Sequence, residues 1–205
     1  MAIASLKDLY LDELGDLYDA ETQILRHLPR LAEQTRAPEL RETLIKHCHE
    51  SRLHLERLEL IFTHWSERRR SRPCAALTGI VQESDDRLNQ VTTDDTRDAA
   101  IVGVAQRIEH YEMAAYGCAR AYARRLNRPD EARLLQETLD DEMRANRRLG
   151  EIAFTDDAPN REQASTHADD ADDAHIPPAA PDTGDPALRK TGSNPPGSDA
   201  SRTRL

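Results

Sequence analysis

Apolar residues recur at steps of three and four along four long stretches of the chain, the period of one face of an α-helix. The first stretch opens at Ser5, which suits an N-cap with Asp8 at N3. It continues through Leu14, Leu17, Tyr18, Glu21, Ile24, Leu25 and Leu28. Pro29 lies inside this pattern and is expected to kink the helix or weaken a turn. Gln34-Thr35-Arg36-Ala37 breaks the period, and Pro38 suits the first position of a second helix. The stripe of that helix reads Leu40, Leu44, His47, Ser51, His54, Leu58, Phe62 and Trp65, ahead of the basic cluster Arg68-Arg69-Arg70-Ser71-Arg72-Pro73. A shorter helix is expected from Ala75 to about Gln90, with Leu77, Ile80 and Val81 as its apolar marks. Thr92-Thr93-Asp94-Asp95-Thr96 is a turn and cap signal. The next long helix is expected from about Asp98 to Leu126, on the stripe Ile101, Ala105, Ile108, Glu112, Tyr116 and Ala119. After the tight turn Asn127-Arg128-Pro129-Asp130, the last helix runs to about Phe154 on Leu135, Leu139, Glu142, Asn146, Leu149 and Ala153.

Four long amphipathic helices and one shorter one imply an all-α bundle. The long segment between the second and third long helices allows a crossover connection, which periodicity alone does not decide. Beyond Asp156 the chain changes character: it holds seven of the eleven prolines and no aromatic residue. Stretches such as Asp169-Asp170-Ala171-Asp172-Asp173 cannot build a core. A helical-bundle domain is therefore expected over 1–155 and a disordered acidic tail over 156–205, with a binding segment as the tail's functional alternative.

The formal charge of −10 is split evenly. The tail holds five of the 28 basic and ten of the 38 acidic residues, so each part carries −5. No basic footprint for nucleic acid is present. No apolar run approaches the 18 or so residues of a membrane span, and the N-terminus lacks the shape of a signal peptide. Cys48, Cys74 and Cys118 are scattered and odd in number, which fits reduced thiols in a cytoplasmic protein. Cys48 and Cys118 are read as small core fillers, and Tyr111 and Tyr116 as core packing, with redox neighbours of the site as their alternative. His49, His64 and His110 lie off the stripes and are expected to face solvent; His27 is unremarkable.

Each long helix carries polar residues inside its apolar stripe. The first has Glu21. The second has His47 and His54, with Glu50 about 80° from the stripe centre. The third has Glu112 near the centre and Glu109 about 40° to 60° away. The fourth has Glu142 and Asn146. An unpaired buried carboxylate is costly, so these groups need a cation, a proton or an arginine. Inward carboxylates and imidazoles from the helices of a bundle are the arrangement that holds two iron or manganese ions. Hard carboxylate oxygens can bridge two cations, and imidazole adds a borderline donor. Two readings follow. In one, Glu21, His47, Glu50, His54, Glu109, Glu112 and Glu142 form a metal centre open to oxygen or peroxide. In the other, the bundle is metal-free, and arginines such as Arg52, Arg57, Arg107 and Arg144, or protons, neutralise the carboxylates.

Several ordered runs carry a family resemblance. Leu6-Lys7-Asp8-Leu9-Tyr10, Glu13-Leu14, Leu17-Tyr18-Asp19-Ala20-Glu21-Thr22-Gln23, His54-Leu55-Glu56-Arg57-Leu58, Pro73-Cys74 and Gly79-Ile80 contribute. Asp98-Ala99-Ala100-Ile101, Glu109-His110-Tyr111-Glu112, Tyr116-Gly117, Leu134-Leu135, Thr138-Leu139 and Glu142 complete the set. Over about residues 5 to 154 the chain resembles the bacterial ferritin-like family typified by the stress proteins YciE and YciF. The resemblance implies a ferritin-like four-helix bundle with an extra helix, a homodimer, and a two-metal carboxylate centre with a ferroxidase or oxidative-stress role. By motif position it assigns Glu21, Glu50, Glu109, Glu112 and Glu142 to that centre. A typical ferritin-type site carries Glu-x-x-His on two helices. This chain has His47-x-x-Glu50 and Glu50-x-x-x-His54 instead.

Overall fold

The computed structural model describes residues 3–65 and 72–155. The expectations for the tail and for Arg68 to Arg70 lie outside those residues. Five helices make up the fold: α1 (Leu6–Gln34), α2 (Pro38–Thr63), α3 (Ala75–Leu88), α4 (Asp94–Arg125) and α5 (Pro129–Thr155).

Local chemistry explains most of the helix ends. Ser5 Oγ accepts from the Asp8 N–H at 3.1 Å, while Asp8 Oδ2 accepts from the Ser5 hydroxyl at 2.7 Å. This reciprocal cap satisfies donors that the first turn leaves over. α1 does not end at Pro29, which is exposed, but runs on to Gln34. α4 starts a turn earlier than its apolar stripe suggests. Thr93 Oγ1 caps the Thr96 N–H at 3.3 Å, and Asp94 and Asp95 occupy the first turn, where the helix dipole favours negative charge. Asp98, one turn in, is used elsewhere: it accepts from the Thr35 hydroxyl at 2.6 Å and from the Arg36 and Ala37 N–H groups at 3.0 and 2.8 Å. That carboxylate ties the α1–α2 turn to the start of α4. Asn127 takes a positive φ of 57° between α4 and α5, a conformation asparagine tolerates better than most residues.

Short turns make α1–α2 and α4–α5 hairpins. α1 also packs antiparallel on α4, since Thr35 meets Asp98 near one end while Tyr116 reaches Glu21 in the middle. α2 packs antiparallel on α5, with Glu39 paired to Arg148, Arg57 to Asp141 and His64 near Glu131. Neighbours are thus antiparallel around the ring α1–α2–α5–α4, and α2 and α4 run parallel across its diagonal. Parallel helices need a long return, so the connection is a crossover that carries α3. The Cys74 N–H donates to Asp19 at 2.8 Å, His27 meets Ser84 at 3.3 Å, and Arg97 reaches the Leu88 carbonyl at 3.3 Å. These contacts lay α3 along α1 and α4.

The apolar core is divided. One cluster joins the second half of α1 to the starts of α2 and α4, to α3, and to Leu149 and Ile152 of α5. The other joins the first half of α1 to the ends of α2 and α4 and the start of α5. The polar layer lies between them. Two expectations need correction. Cys118 is exposed rather than a core filler. His27 is buried beneath α3, with Nε2 on Ser84, because its position one turn beyond Gln23 faces the extra helix.

Candidate metal centre

Six side chains from all four long helices converge in the polar layer, each no more than 2% exposed. Glu21 comes from α1, His47 and His54 from α2, Glu109 and Glu112 from α4, and Glu142 from α5. One ligand atom from each of Glu21, His54, Glu112 and Glu142 lies within 4.8 Å of the others, and the same holds for His47, Glu109, Glu112 and Glu142. Glu112 and Glu142 belong to both groups.

His54 Nδ1 is 2.9 Å from Glu142 Oε1 and 3.1 Å from Glu21 Oε1. His47 Nδ1 is 2.8 Å from Glu109 Oε1, and its Nε2 lies 3.4 Å from Glu112 and 3.6 Å from Glu142. Despite this crowding, both oxygens of Glu109, Glu112 and Glu142 and Oε2 of Glu21 carry no aligned hydrogen bond. Buried polar atoms are almost always satisfied, so these point to a shared partner other than a protein donor. Arginine is not that partner. Arg57 and Arg144 pair with Asp141, Arg52 with His49, and Arg107 with its own helix backbone. Among the described residues no lysine or arginine pairs with any of the four glutamates.

The electrostatics fit the same picture. Burial, then the charges of Glu142 and Glu21, push Glu112 well above the usual carboxylate range. Burial lifts Glu142 to about 7, opposed by His54 and His47. Burial also acts to raise Glu21, but His54, Tyr116 and His47 outweigh it and hold the carboxyl below its ordinary value. The imidazoles move the other way. Burial works against the charged form of His54, yet Asp141, Glu142 and Glu21 push it up to about 12. Glu109, Glu112 and Glu142 likewise overcome burial at His47 and hold it well above 6.5. The layer thus attracts positive charge from any source. Four carboxylates and, once they give up their protons, two imidazoles are donors of the type that could hold divalent cations.

Glu50 is not part of this gathering. Its side chain is 18% exposed and pairs with Lys46 at 3.3 Å, in the groove between α2 and α5. Asn146 stays at the margin, partly buried. Periodicity placed Tyr116 in its stripe but did not show the role of its hydroxyl, and it missed Asp141. Tyr116 does more than pack, since its hydroxyl donates to Glu21 Oε1 at 2.6 Å. Asp141 lies 3.4 Å from His54 Nε2, and His54 and Arg57 hold its carboxyl down at about 2. No stripe signals Asp141, because it lies beside Glu142 on the flank of α5.

Fold and site together define a helical bundle with a buried carboxylate–histidine centre. The chain belongs to the DUF892 family, described as a domain of unknown function, which matches residues 5–162. Protein YciF of Escherichia coli (strain K12) is 31% identical over 155 residues, 75% of this chain and 93% of that protein. The crystal structure of the E. coli stress protein YciF matches with a TM-score of 0.71 at 30% identity, over 75% of this chain and 97% of that one. YcfI from Rhodopseudomonas palustris matches with a TM-score of 0.70 at 36% identity, over 72% and 94%. The resemblance read from the residues therefore holds for YciF. No helix of the described residues is long and apolar enough to cross a membrane.

Proposed function

We propose that this protein is a carboxylate-bridged two-metal protein of the ferritin-like kind, binding iron or manganese and acting in protection against oxidative stress. One observation carries the reading: two four-residue groups share Glu112 and Glu142, and no oxygen of those two carboxylates carries an aligned hydrogen bond. In this assignment Glu21 with His54 and Glu109 with His47 would hold one ion each, Glu112 and Glu142 would serve both, and Glu50 stays outside. Bound iron or manganese supplies one-electron redox chemistry and a coordination position for oxygen or peroxide. The chain's own residues exclude water from the layer, hold its negative charge, and keep Tyr116 against Glu21. Fe²⁺ oxidation by oxygen or peroxide is the activity we assign, with the description of the solved E. coli YciF as a stress protein as its context. A homodimer belongs to the same proposal, and the half-exposed Ile45, Leu53 and Leu60 mark the outer face of α2 that it would cover.

The test is metal analysis of the full chain after anaerobic loading with Fe²⁺ and, separately, Mn²⁺, followed by desalting. Up to two ions per chain are expected, at least one of them surviving desalting, with retention lost in Glu112→Ala, which removes a residue of both groups. Stoichiometry well below one ion per chain for both metals sinks the reading. It favours the rival, a metal-free bundle acting as a structural or interaction protein, whose support is the high affinity of this layer for protons.

A further inference from the structure

Resting on the two-metal reading, we propose that the halves of the centre fill in order. The Glu21–His54 half takes the first ion tightly, the His47–Glu109 half takes the second weakly and exchangeably, and Asp141 is the positioning residue that makes the difference.

Glu112 and Glu142 serve both halves, so any inequality must come from the remaining ligands and what stands behind them. On one side that support is extensive. Glu21 Oε1 is held by the Tyr116 hydroxyl at 2.6 Å and by His54 Nδ1 at 3.1 Å, leaving Oε2 as its free atom. His54 turns Nδ1 inward, and its outward Nε2 lies 3.4 Å from Asp141 Oδ2, an ion-pair contact without an aligned hydrogen bond. Asp141 is itself fixed, with Oδ2 accepting from Arg57 at 2.7 Å and Oδ1 paired with Arg144. A carboxylate behind the outer nitrogen of a histidine draws the ring proton to that side and leaves the inner nitrogen as a donor to metal.

On the other side nothing comparable exists. Both nitrogens of His47 face carboxylates of the centre itself: Glu109 at 2.8 Å, Glu112 at 3.4 Å and Glu142 at 3.6 Å. Both oxygens of Glu109 lack a hydrogen bond. Among the described residues, no side chain from outside the centre pairs with His47 or Glu109. An ion arriving at either half displaces an imidazole–carboxylate contact, His54 Nδ1 on Glu21 and Glu142 or His47 Nδ1 on Glu109, but only the first half keeps supports from outside, Tyr116 on Glu21 and Asp141 behind His54, that hold its ligands in place. Preorganised ligands bind more tightly because that ordering cost is already met.

The test is a Mn²⁺ titration of the full chain followed by electron paramagnetic resonance. An isolated bound-ion signal should grow up to one equivalent and then convert to an exchange-coupled pair by two. Asp141→Asn should weaken the first step by about 10- to 100-fold, the usual effect of losing such a partner, so that both steps merge. Asp141→Glu should restore the order. His47→Ala should keep the first equivalent and lose the second, which carries the test if Asp141→Asn does not fold. Coupled pairs from the first additions in the wild type, an Asp141→Asn titration like that of the wild type, or loss of both equivalents in His47→Ala would each overturn the ordered filling while leaving a metal centre in place. No Mn²⁺ bound by the wild type at all would overturn the two-metal reading beneath it.

Discussion

The molecule buries carboxylates in two places and handles them in opposite ways. Near one end of the bundle, Glu131 in the first turn of α5 is 2% exposed. Its Oε2 accepts from the Tyr10 hydroxyl at 2.9 Å and the Trp65 indole N–H at 3.1 Å. Its Oε1 has His64 at 3.5 Å and Arg128 at 3.9 Å within reach. In the middle of the bundle, Glu109, Glu112 and Glu142 have no aligned donor on any oxygen, and their neighbours are other carboxylates and two imidazoles. Burial by itself therefore says little about function. Glu131 is solved internally by neutral donors and the nearby Arg128, whereas Glu109, Glu112 and Glu142 call for charge from outside the chain, as ions or as protons.

The largest effect that separates the two regions is metal-dependent stability. Each ion bound at 100 times its dissociation constant adds about 2.7 kcal/mol. Two ions should raise the melting temperature by roughly 10 to 20 °C for a domain of this size. Thermal melts with Mn²⁺, or with Fe²⁺ under anaerobic conditions, should show this for the wild type. Glu131→Gln should keep the shift and Glu112→Gln should lose most of it; an equal response in both erases the distinction.

Next in size is the cost of removing each carboxylate from the metal-free protein, measured by urea unfolding. Glu131→Leu strands the Tyr10 and Trp65 donors, each worth about 1–3 kcal/mol, for a loss of roughly 2–6 kcal/mol. Glu112→Leu removes a group that accepts no hydrogen bond and faces like charges, so it should be neutral or stabilising. Comparable losses in the two variants would show that the central carboxylates are internally satisfied after all. Smaller again is Tyr116→Phe, which deletes the hydroxyl on Glu21 and should cost about 1.5–2 kcal/mol in the metal-free protein, as for a hydrogen bond to a charged acceptor. Its effect should shrink once Mn²⁺ occupies the centre and shares the Glu21 charge.

The smallest expected effect contrasts two buried histidines. Carboxylates push His54 up, while burial pulls His27 below 6.5, with Asp85 opposing and Arg30 adding to the fall. A depressed histidine binds its proton more readily when unfolded. Its contribution is therefore intact above about 6.5 and is lost as the pH falls through the folded value, at no more than about 1.4 kcal/mol per pH unit. In melts of the metal-free protein between about pH 7 and pH 5, His27→Gln should show a shallower loss of stability than the wild type. An unchanged slope rules out the buried imidazole beneath α3 as its source.

Much of the centre was legible from helix faces. Glu21, His47, His54, Glu112 and Glu142 lie on their stripes, and Glu109 lies close to one. Glu131 was legible too, though unread: it stands one turn before Leu135, on the same stripe as Glu142. Glu50 shows the opposite case. Family position favoured it as a ligand, yet its place about 80° off the stripe centre matches the groove where it meets Lys46. Asp141 and the hydroxyl of Tyr116 could not be assigned by period, because their partners, His54 and Glu21, lie on other helices.

The sequence by itself determined which residues each helix turns inward, because a rotation of about 100° per residue is a local property of the backbone. It also determined the hairpin turns and caps, through Ser5, Pro38, Thr93 and Asn127. Only the tertiary structure decided that Glu112 and Glu142 belong to both groups, that Asp141 stands behind His54, and that no described side chain from outside the centre pairs with His47. Those facts depend on how far each helix slides along its neighbours and on the crossover that sets α2 parallel to α4. Packing of the two apolar clusters fixes both, and no single helix carries that information.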